Sequence, residues 1–172
     1  MNIAVNIVLY QLGWLACVLG AAHGAPWLGP LLVVAIAAWH LAAARHQARE
    51  LTLLACAALL GLILDSLLMR LGLLRFSSGE VIAGFSPGWM IALWVLFATT
   101  LNVSLRWLQR RPAVAGALGL LGGPLAYYAG SRLGAITLTP ANRALCAIAI
   151  VWAAATPLLF AVARCRDGFA VA

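Results

Sequence analysis

Long apolar runs, separated by short polar segments, dominate the pattern of residues along this chain. Each run has roughly the 20 residues that an α-helix needs to cross the hydrocarbon core of a bilayer. Inside lipid, helices and closed barrels alone satisfy their own backbone polar groups, so the runs predict transmembrane helices. We predict six of them, over residues 3–22, 27–44, 51–74, 88–108, 113–134 and 144–163.

Composition supports the same class. Of the 172 residues, 65% are hydrophobic and 9% are charged, whereas a soluble domain is about half apolar and a quarter charged. This excludes an ordinary soluble domain and a disordered chain. We therefore expect one all-α, polytopic membrane domain over residues 1–172. The first run lacks the basic segment of a signal peptide, so we expect it to be a retained helix.

The charges predict an orientation. Eleven arginines and four acidic residues give a net charge of +7. With six spans, seven arginines share a side with both termini and four lie on the other side, so the positive-inside rule places both termini in the cytoplasm. Trp27, Trp89 and Trp107 fall at helix ends, where interfacial anchors are expected. The seven are Arg45, Arg49, Arg106, Arg110, Arg111, Arg164 and Arg166, and the four are Arg70, Arg75, Arg132 and Arg143.

The arginines lie between apolar runs and form no basic stripe interleaved with aromatic residues. This pattern is typical of contacts with anionic lipid headgroups, and we expect no nucleic-acid partner. The longest loop, residues 75–87, is rich in Ser, Gly and Pro and is predicted to be flexible or turn-rich.

A weak internal repeat is present. A shift of 62 residues superposes the second and third runs on the fourth and fifth. A parallel repeat of helix hairpins and chance matching between Leu- and Ala-rich segments both explain it. The matched pairs include Trp27 with Trp89, His40 with Asn102, Arg49 with Arg111, Gly61 with Gly123, and residues 70–72 with 132–134.

Ionisable and polar residues within the spans are costly and form two sets by depth. The outer set contains Asp65, Tyr127, Tyr128 and Arg132, with Arg70 nearby. A carboxylate, a phenol and a guanidinium at one depth are suited to binding a headgroup phosphate or to proton transfer. Asp65 and Tyr128 are the candidate catalytic residues, and Tyr127 and Arg132 are candidate ligand-binding residues. The alternative is a structural ion pair between Asp65 and Arg132 or Arg70 that joins two helices.

The inner set contains Gln11, His40, Asn102 and Arg106, and is predicted to form a polar ligand-binding pocket open to the cytoplasm. Asn102 and Arg106 are four residues apart and share a helix face. The alternatives are hydrogen bonds between helices and, for Arg106, extension of the side chain towards the inner headgroups.

The fifth run carries the GxxxG pairs Gly119/Gly123 and Gly130/Gly134, which allow close helix approach. Pro124, and Pro157 in the sixth run, predict bends. Tight packing and a broken helix that lines a cavity both remain open.

Sequence motifs for known chemistry are missing. There is no GxSxG, HExxH or Walker A motif, no His pair at helical metal-site spacing, and no CxxC among the four cysteines. We expect no metal site and no cofactor, and a conventional hydrolase or ATPase is disfavoured. Whether the protein is an enzyme stays open.

Two segments, FATTLNVSLRW over residues 97–107 and GGPLAYYAGSRLG over residues 122–134, resemble the hallmark segments of a bacterial family of small inner-membrane proteins. That family is known as domain of unknown function 2878, and Gln11–Trp14 and Leu64–Ser66 fit its pattern. The resemblance covers nearly the whole chain. It implies a multi-pass protein of the bacterial inner membrane, encoded near enzymes of fatty-acyl modification, and hence a lipid-linked role. It assigns no catalytic residue.

Together these observations favour a protein that binds or modifies a lipid or another amphiphile between helices three, four and five. In that hypothesis Arg132 holds an anionic headgroup, and Asp65 and Tyr128 position or protonate it. Two other functions stay open. One is a small proton-coupled transporter that uses Asp65, and the other is a scaffold that assembles through Gly119 and Gly123. Expected partners are membrane lipids and either a membrane-protein partner or a second copy of the chain.

Overall fold

The computed structural model describes residues 2–170 and contains an α-helix at each of the six predicted positions. A short 3₁₀ helix and two short strands complete the fold. The helices are α1 (Ile3–Ala22), α2 (Leu28–Ala43), α3 (Gln47–Arg70), α4 (Gly88–Leu101), α5 (Pro112–Arg132) and α6 (Ala141–Cys165). The 3₁₀ helix is Arg106–Leu108, and the strands are β1 (Leu74–Phe76) and β2 (Ile136–Leu138).

Four helices, α1, α3, α5 and α6, are long and apolar enough to cross a membrane. The other two are apolar but shorter, with 16 residues in α2 and 14 in α4. The prediction that the fourth helix reaches residue 108 is wrong, since α4 ends at Leu101. The hydroxyls of Thr99 and Thr100 donate to backbone carbonyls three residues earlier, and such bonds compete with helix continuation.

Two glycines determine where α3 and α5 end. Both helices were predicted to continue to residues 74 and 134, but they end at Arg70 and Arg132. Gly72 and Gly134 follow with φ values of 71° and 88°, a conformation that costs glycine little and other residues more. Each glycine N–H donates to a carbonyl three residues earlier and terminates its helix.

Strands β1 and β2 were not predicted. They pair antiparallel, with Arg75 opposite Thr137, and so join the ends of α3 and α5. We call this the strand end of the bundle. The opposite end, which we call the termini end, is joined by bonds between Ser104 and Asn6 and between His46 and Gly168. The six helices therefore alternate in direction along the chain.

The long third loop is held in place by specific contacts. The hydroxyls of Ser77 and Ser78 donate to the carbonyl of Ala21 at 3.2 and 2.7 Å. The indole of Trp89 donates to the Ser78 carbonyl at 3.1 Å and is buried, so its predicted place among the interfacial anchors is wrong. Trp27 is 60% exposed, as an anchor requires.

Three pairs of positions that are 62 residues apart occupy related places in α3, α5 and the strands. Gly72 and Gly134 end their helices in the same way, and Arg75 lies directly opposite Thr137 in the sheet. Asp65 is hydrogen-bonded to Tyr127, its counterpart 62 residues later. These contacts relate α3 to α5, and β1 to β2, at the shift of 62 residues found in the sequence.

Helix α5 packs closely on α6 through its small residues. A Cβ atom on Gly119 would overlap the Trp152 carbonyl and Thr156, and one on Gly123 would overlap the Trp152 ring. Both helices continue through their prolines, Pro124 and Pro157, without interruption. The glycine pair at 119 and 123 is therefore used for packing within the chain, and neither helix is broken at its proline.

Candidate functional site

Asp65 is the centre of a buried polar cluster between α3, α4 and α5. Its carboxylate accepts a hydrogen bond from the indole Nε1 of Trp94 at 2.7 Å on one oxygen and one from the Tyr127 hydroxyl on the other. Gly61, one turn earlier on α3, lies against the Trp94 ring, where a Cβ atom would overlap it. The small residue thus lets the indole reach the carboxylate, and both carboxylate oxygens are satisfied within the protein.

Three residues of the predicted outer set do not join Asp65. Tyr128 is 50% exposed on the outer face of α5, and Arg132 is exposed at the end of that helix. The guanidinium of Arg70 donates to the Gly84 carbonyl at 3.4 Å and lies 4.9 Å from the Phe85 ring centre. The alternative of an ion pair from Asp65 to Arg132 or Arg70 is therefore wrong.

Glu50 is the centre of a second buried cluster, at the termini end. Its carboxylate lies 2.9 Å from Nε2 of His40 and accepts bonds from the Asn102 amide at 2.5 Å and from the Gly168 backbone N–H at 2.8 Å. Gln109 in turn donates to the Asn102 side-chain oxygen at 2.6 Å. Glu50 is in the first turn of α3, where the helix dipole favours negative charge.

The segment that follows α6 packs against the Glu50 cluster. The Phe169 ring lies 5.1 Å from the His40 ring, and Asp167 forms an ion pair with Arg106. His40, Asn102 and Arg106 of the predicted inner set therefore meet at the termini end. Gln11 does not, because it is exposed on the surface of α1.

A lateral groove lies between α1 and α5, with α4 and α6 as its floor. It consists of three adjoining cavities that all share Tyr10 and Phe97 in their walls, and the two larger ones measure about 240 and 220 Å³. Along α1 the groove extends from Ile7 to Val18, about 16 Å at 1.5 Å per residue. Leu118 and Gly122 at its rim are exposed, so the groove is open on this side.

The groove is apolar and aromatic, with a few polar residues in its wall. Trp152 and Thr156 are among them, but the indole nitrogen and the hydroxyl are buried against neighbouring atoms. Tyr127 and Trp94 line its narrow part near the strand end, so the Asp65 cluster supports the groove wall. The groove therefore combines an apolar surface with a few polar groups, as ligand-binding sites do.

Sequence reasoning missed Glu50, Trp94, Trp152 and Thr156. Glu50 lies one residue before the predicted third helix, and Trp94, Trp152 and Thr156 lie within predicted spans, where no motif singles them out. One signal could have pointed to the partners of Asp65. A buried carboxylate requires hydrogen-bond donors, and the indole N–H and phenol O–H groups within the spans can provide them. Which of the seven tryptophans would meet Asp65 depends on helix packing.

Comparison with known families gives one result. The model of the family described as "protein of unknown function (DUF2878)" matches residues 3–158. The chain belongs to this family. The match contains α1 to α5, all of the Asp65 cluster and every groove residue except Phe160. No curated protein and no solved structure gives a match.

Proposed function

We propose that the protein is a multi-pass protein of the bacterial inner membrane that holds a membrane lipid or a related amphiphile in the lateral groove. The observation that carries the proposal is the groove itself. It is lined by apolar and aromatic side chains and lies among helices suited to a bilayer.

A lipid is the occupant favoured by these surroundings. The groove opens between two apolar helices, so within a bilayer acyl chains are the molecules that reach it. An acyl chain buries the rings of Tyr10, Phe97 and Trp152.

In this proposal the Asp65 cluster positions the groove wall. Asp65 has both oxygens engaged, and it fixes the ring positions of Trp94 and Tyr127. Tyr127, rather than its exposed neighbour Tyr128, is the phenol that meets the ligand. The proposal includes no chemical step.

Gly122 provides a test. It lines the groove, and a Cβ atom at this position would meet no atom within 4 Å. We expect Gly122→Leu to fill the groove without disturbing the helices and to reduce the lipid that copurifies with the protein, measured by native mass spectrometry.

The matched control is Ala117→Leu, which places the same side chain on an exposed position of α5. It should retain lipid as the unaltered chain does. Equal retention in Gly122→Leu, Ala117→Leu and the unaltered chain would contradict the proposal.

A proton-coupled carrier is the second candidate, supported by the pairing of Asp65 with its repeat counterpart Tyr127. It predicts a proton flux in proteoliposomes that Asp65→Asn abolishes, with lipid retention unchanged. Assembly with another protein through Gly119 and Gly123 has less support, because α6 already covers both glycines.

A further inference from the structure

A basic pocket lies at the termini end, beside the lateral groove. It measures about 430 Å³, and three guanidinium groups line it against one carboxylate. Arg106 and Arg110 come from the segment between α4 and α5, while Arg164 and Asp167 come from the end of α6. We call it the arginine pocket.

The arginine pocket continues the groove. Leu105 lines the groove and the next residue, Arg106, lines the pocket. On α6, Phe160 lines the groove and Arg164, one helical turn further on, lines the pocket. A molecule with its tail in the groove would therefore present its polar end to the arginines.

The charges of the pocket are arranged for an anion. Asp167 pairs with Arg106 and also accepts a bond from the Phe169 N–H at 2.9 Å, so the carboxylate is fixed by its own loop. Neither Arg110 nor Arg164 has a carboxylate partner within the described residues. Two guanidinium groups thus remain for a ligand, and guanidinium groups bind phosphate oxygens in a bidentate manner.

The position of the pocket fits the headgroup layer. Trp107 lines it and is 53% exposed, as aromatic residues at a membrane surface are. The Arg111 guanidinium lies 5.7 Å from the centre of the Trp107 ring, which adds a further positive charge at this level. Under the positive-inside prediction this is the cytoplasmic surface.

From these observations we infer that the ligand of the groove is an anionic lipid of the inner leaflet, whose phosphate-bearing headgroup binds Arg110 and Arg164. The inference rests on the proposed function and names the class of ligand. It replaces Arg132, at the other end of α5, as the residue that meets the headgroup.

The test uses the full chain in mixed micelles that contain equal amounts of phosphatidylglycerol and phosphatidylcholine with the same acyl chains. Native mass spectrometry gives the ratio of the two bound lipids. We expect phosphatidylglycerol to dominate in the unaltered chain. The double variant Arg110→Gln with Arg164→Gln should lower the ratio about thirtyfold, as expected for two arginines near an anionic surface.

The matched control is Arg45→Gln with Arg49→Gln, which removes the same charge from exposed positions at the same end of the bundle. It should leave the ratio unchanged. Arg110 and Arg164 are themselves exposed, so the double variant should fold. If it does not, the single variants should lower the ratio in smaller steps.

Three outcomes would overturn the inference. The first is an equal ratio in the arginine-pocket and control variants. The second is loss of phosphatidylglycerol preference in Arg132→Gln alone, which would place the headgroup at the strand end. The third is calorimetric binding of inorganic phosphate that the double variant abolishes while the lipid ratio stays the same, which would assign the pocket to free phosphate.

Failure of the proposed function can be distinguished from failure of the headgroup assignment. If Gly122→Leu lowers the total amount of bound lipid but phosphatidylglycerol is not preferred, the groove proposal stands and the headgroup assignment is wrong. If Gly122→Leu changes nothing, the groove proposal is wrong.

Discussion

Two buried carboxylates on α3 form hydrogen bonds with residues of the neighbouring helices and segments. Asp65 accepts bonds from residues of α4 and α5, and Glu50 contacts α2, the segment after α4 and the segment after α6. An unpaired carboxylate in a low-dielectric interior is costly, so the arrangement that supplies all these donors is strongly favoured. Each acid therefore specifies which helices meet.

Replacement of Asp65 should destabilise the bundle by an amount that depends on the acceptor left behind. Asp65→Ala leaves the Trp94 N–H and the Tyr127 hydroxyl buried without an acceptor, and we expect a loss of about 1–3 kcal/mol. Asp65→Asn keeps one acceptor oxygen and should lose less. Thermal unfolding in detergent measures both.

Equal destabilisation by Asp65→Asn and Asp65→Ala would show that the hydrogen bonds of Asp65 do not stabilise the fold. Arg49→Ala serves as a control for a change on the same helix, because Arg49 is exposed and should have little effect.

Among the elements, α3 and α5 resemble each other in sequence and in end structure. Each has a glycine against a tryptophan ring, ends at an arginine, continues through a left-handed glycine and enters a short strand. The 62-residue shift found in the sequence thus relates α3 to α5, whereas Trp27 and Trp89, another pair of that repeat, are exposed and buried respectively. The strands could not be predicted, since three residues of pairing leave no detectable alternation.

Gly61 and Gly122 both lie within helices, but their surroundings differ, so they should respond differently to substitution by alanine. Gly61→Ala places a methyl group in the Trp94 ring and should displace the indole from Asp65, lowering the melting temperature by several degrees. In Gly122→Ala the new methyl group contacts no other atom. Because alanine has a higher helix propensity than glycine, the melting temperature should stay the same or rise slightly. Differential scanning fluorimetry in detergent compares them.

A similar melting temperature for the two alanine variants would contradict the close approach of Gly61 to Trp94. The intrinsic fluorescence of the Gly61→Ala variant gives a second measurement, because displacement of the indole from a carboxylate changes its emission.

For the whole molecule, the arginines determine an expected orientation. The termini end carries seven of the eleven arginines, including those of the arginine pocket. Under the positive-inside rule we expect this end, and the headgroup site proposed for it, to face the cytoplasm. We expect the strand end, with β1 and β2, to face the opposite side.

Cysteine labelling tests this orientation. In a background with the four native cysteines replaced by alanine, we expect Thr139→Cys to react with a membrane-impermeant maleimide in intact cells. Arg45→Cys should react after the cells are opened. Both positions are exposed, so accessibility alone does not distinguish them. The reverse pattern would invert the orientation and place the arginine pocket in the outer leaflet.

The sequence by itself determined the class of the protein and the place of each helix. Apolar runs of about 20 residues have one stable backbone state in lipid, so no knowledge of the partners was needed to predict them. It also singled out Asp65, His40, Asn102 and Arg106 as polar residues that require partners, and each has a hydrogen bond or an ion pair in the structure.

The tertiary structure decided which partners they have. Tyr127 points into the bundle and Tyr128 points outwards because of the way α5 packs on α6. The sequence of the fifth run does not show which of these two adjacent tyrosines is buried. The groove exists because α1 packs on α2 and α4 while α5 packs on α6. Periodicity fixes how each helix is built, but the contacts between helices are set by the shapes and hydrogen bonds of side chains far apart in the chain.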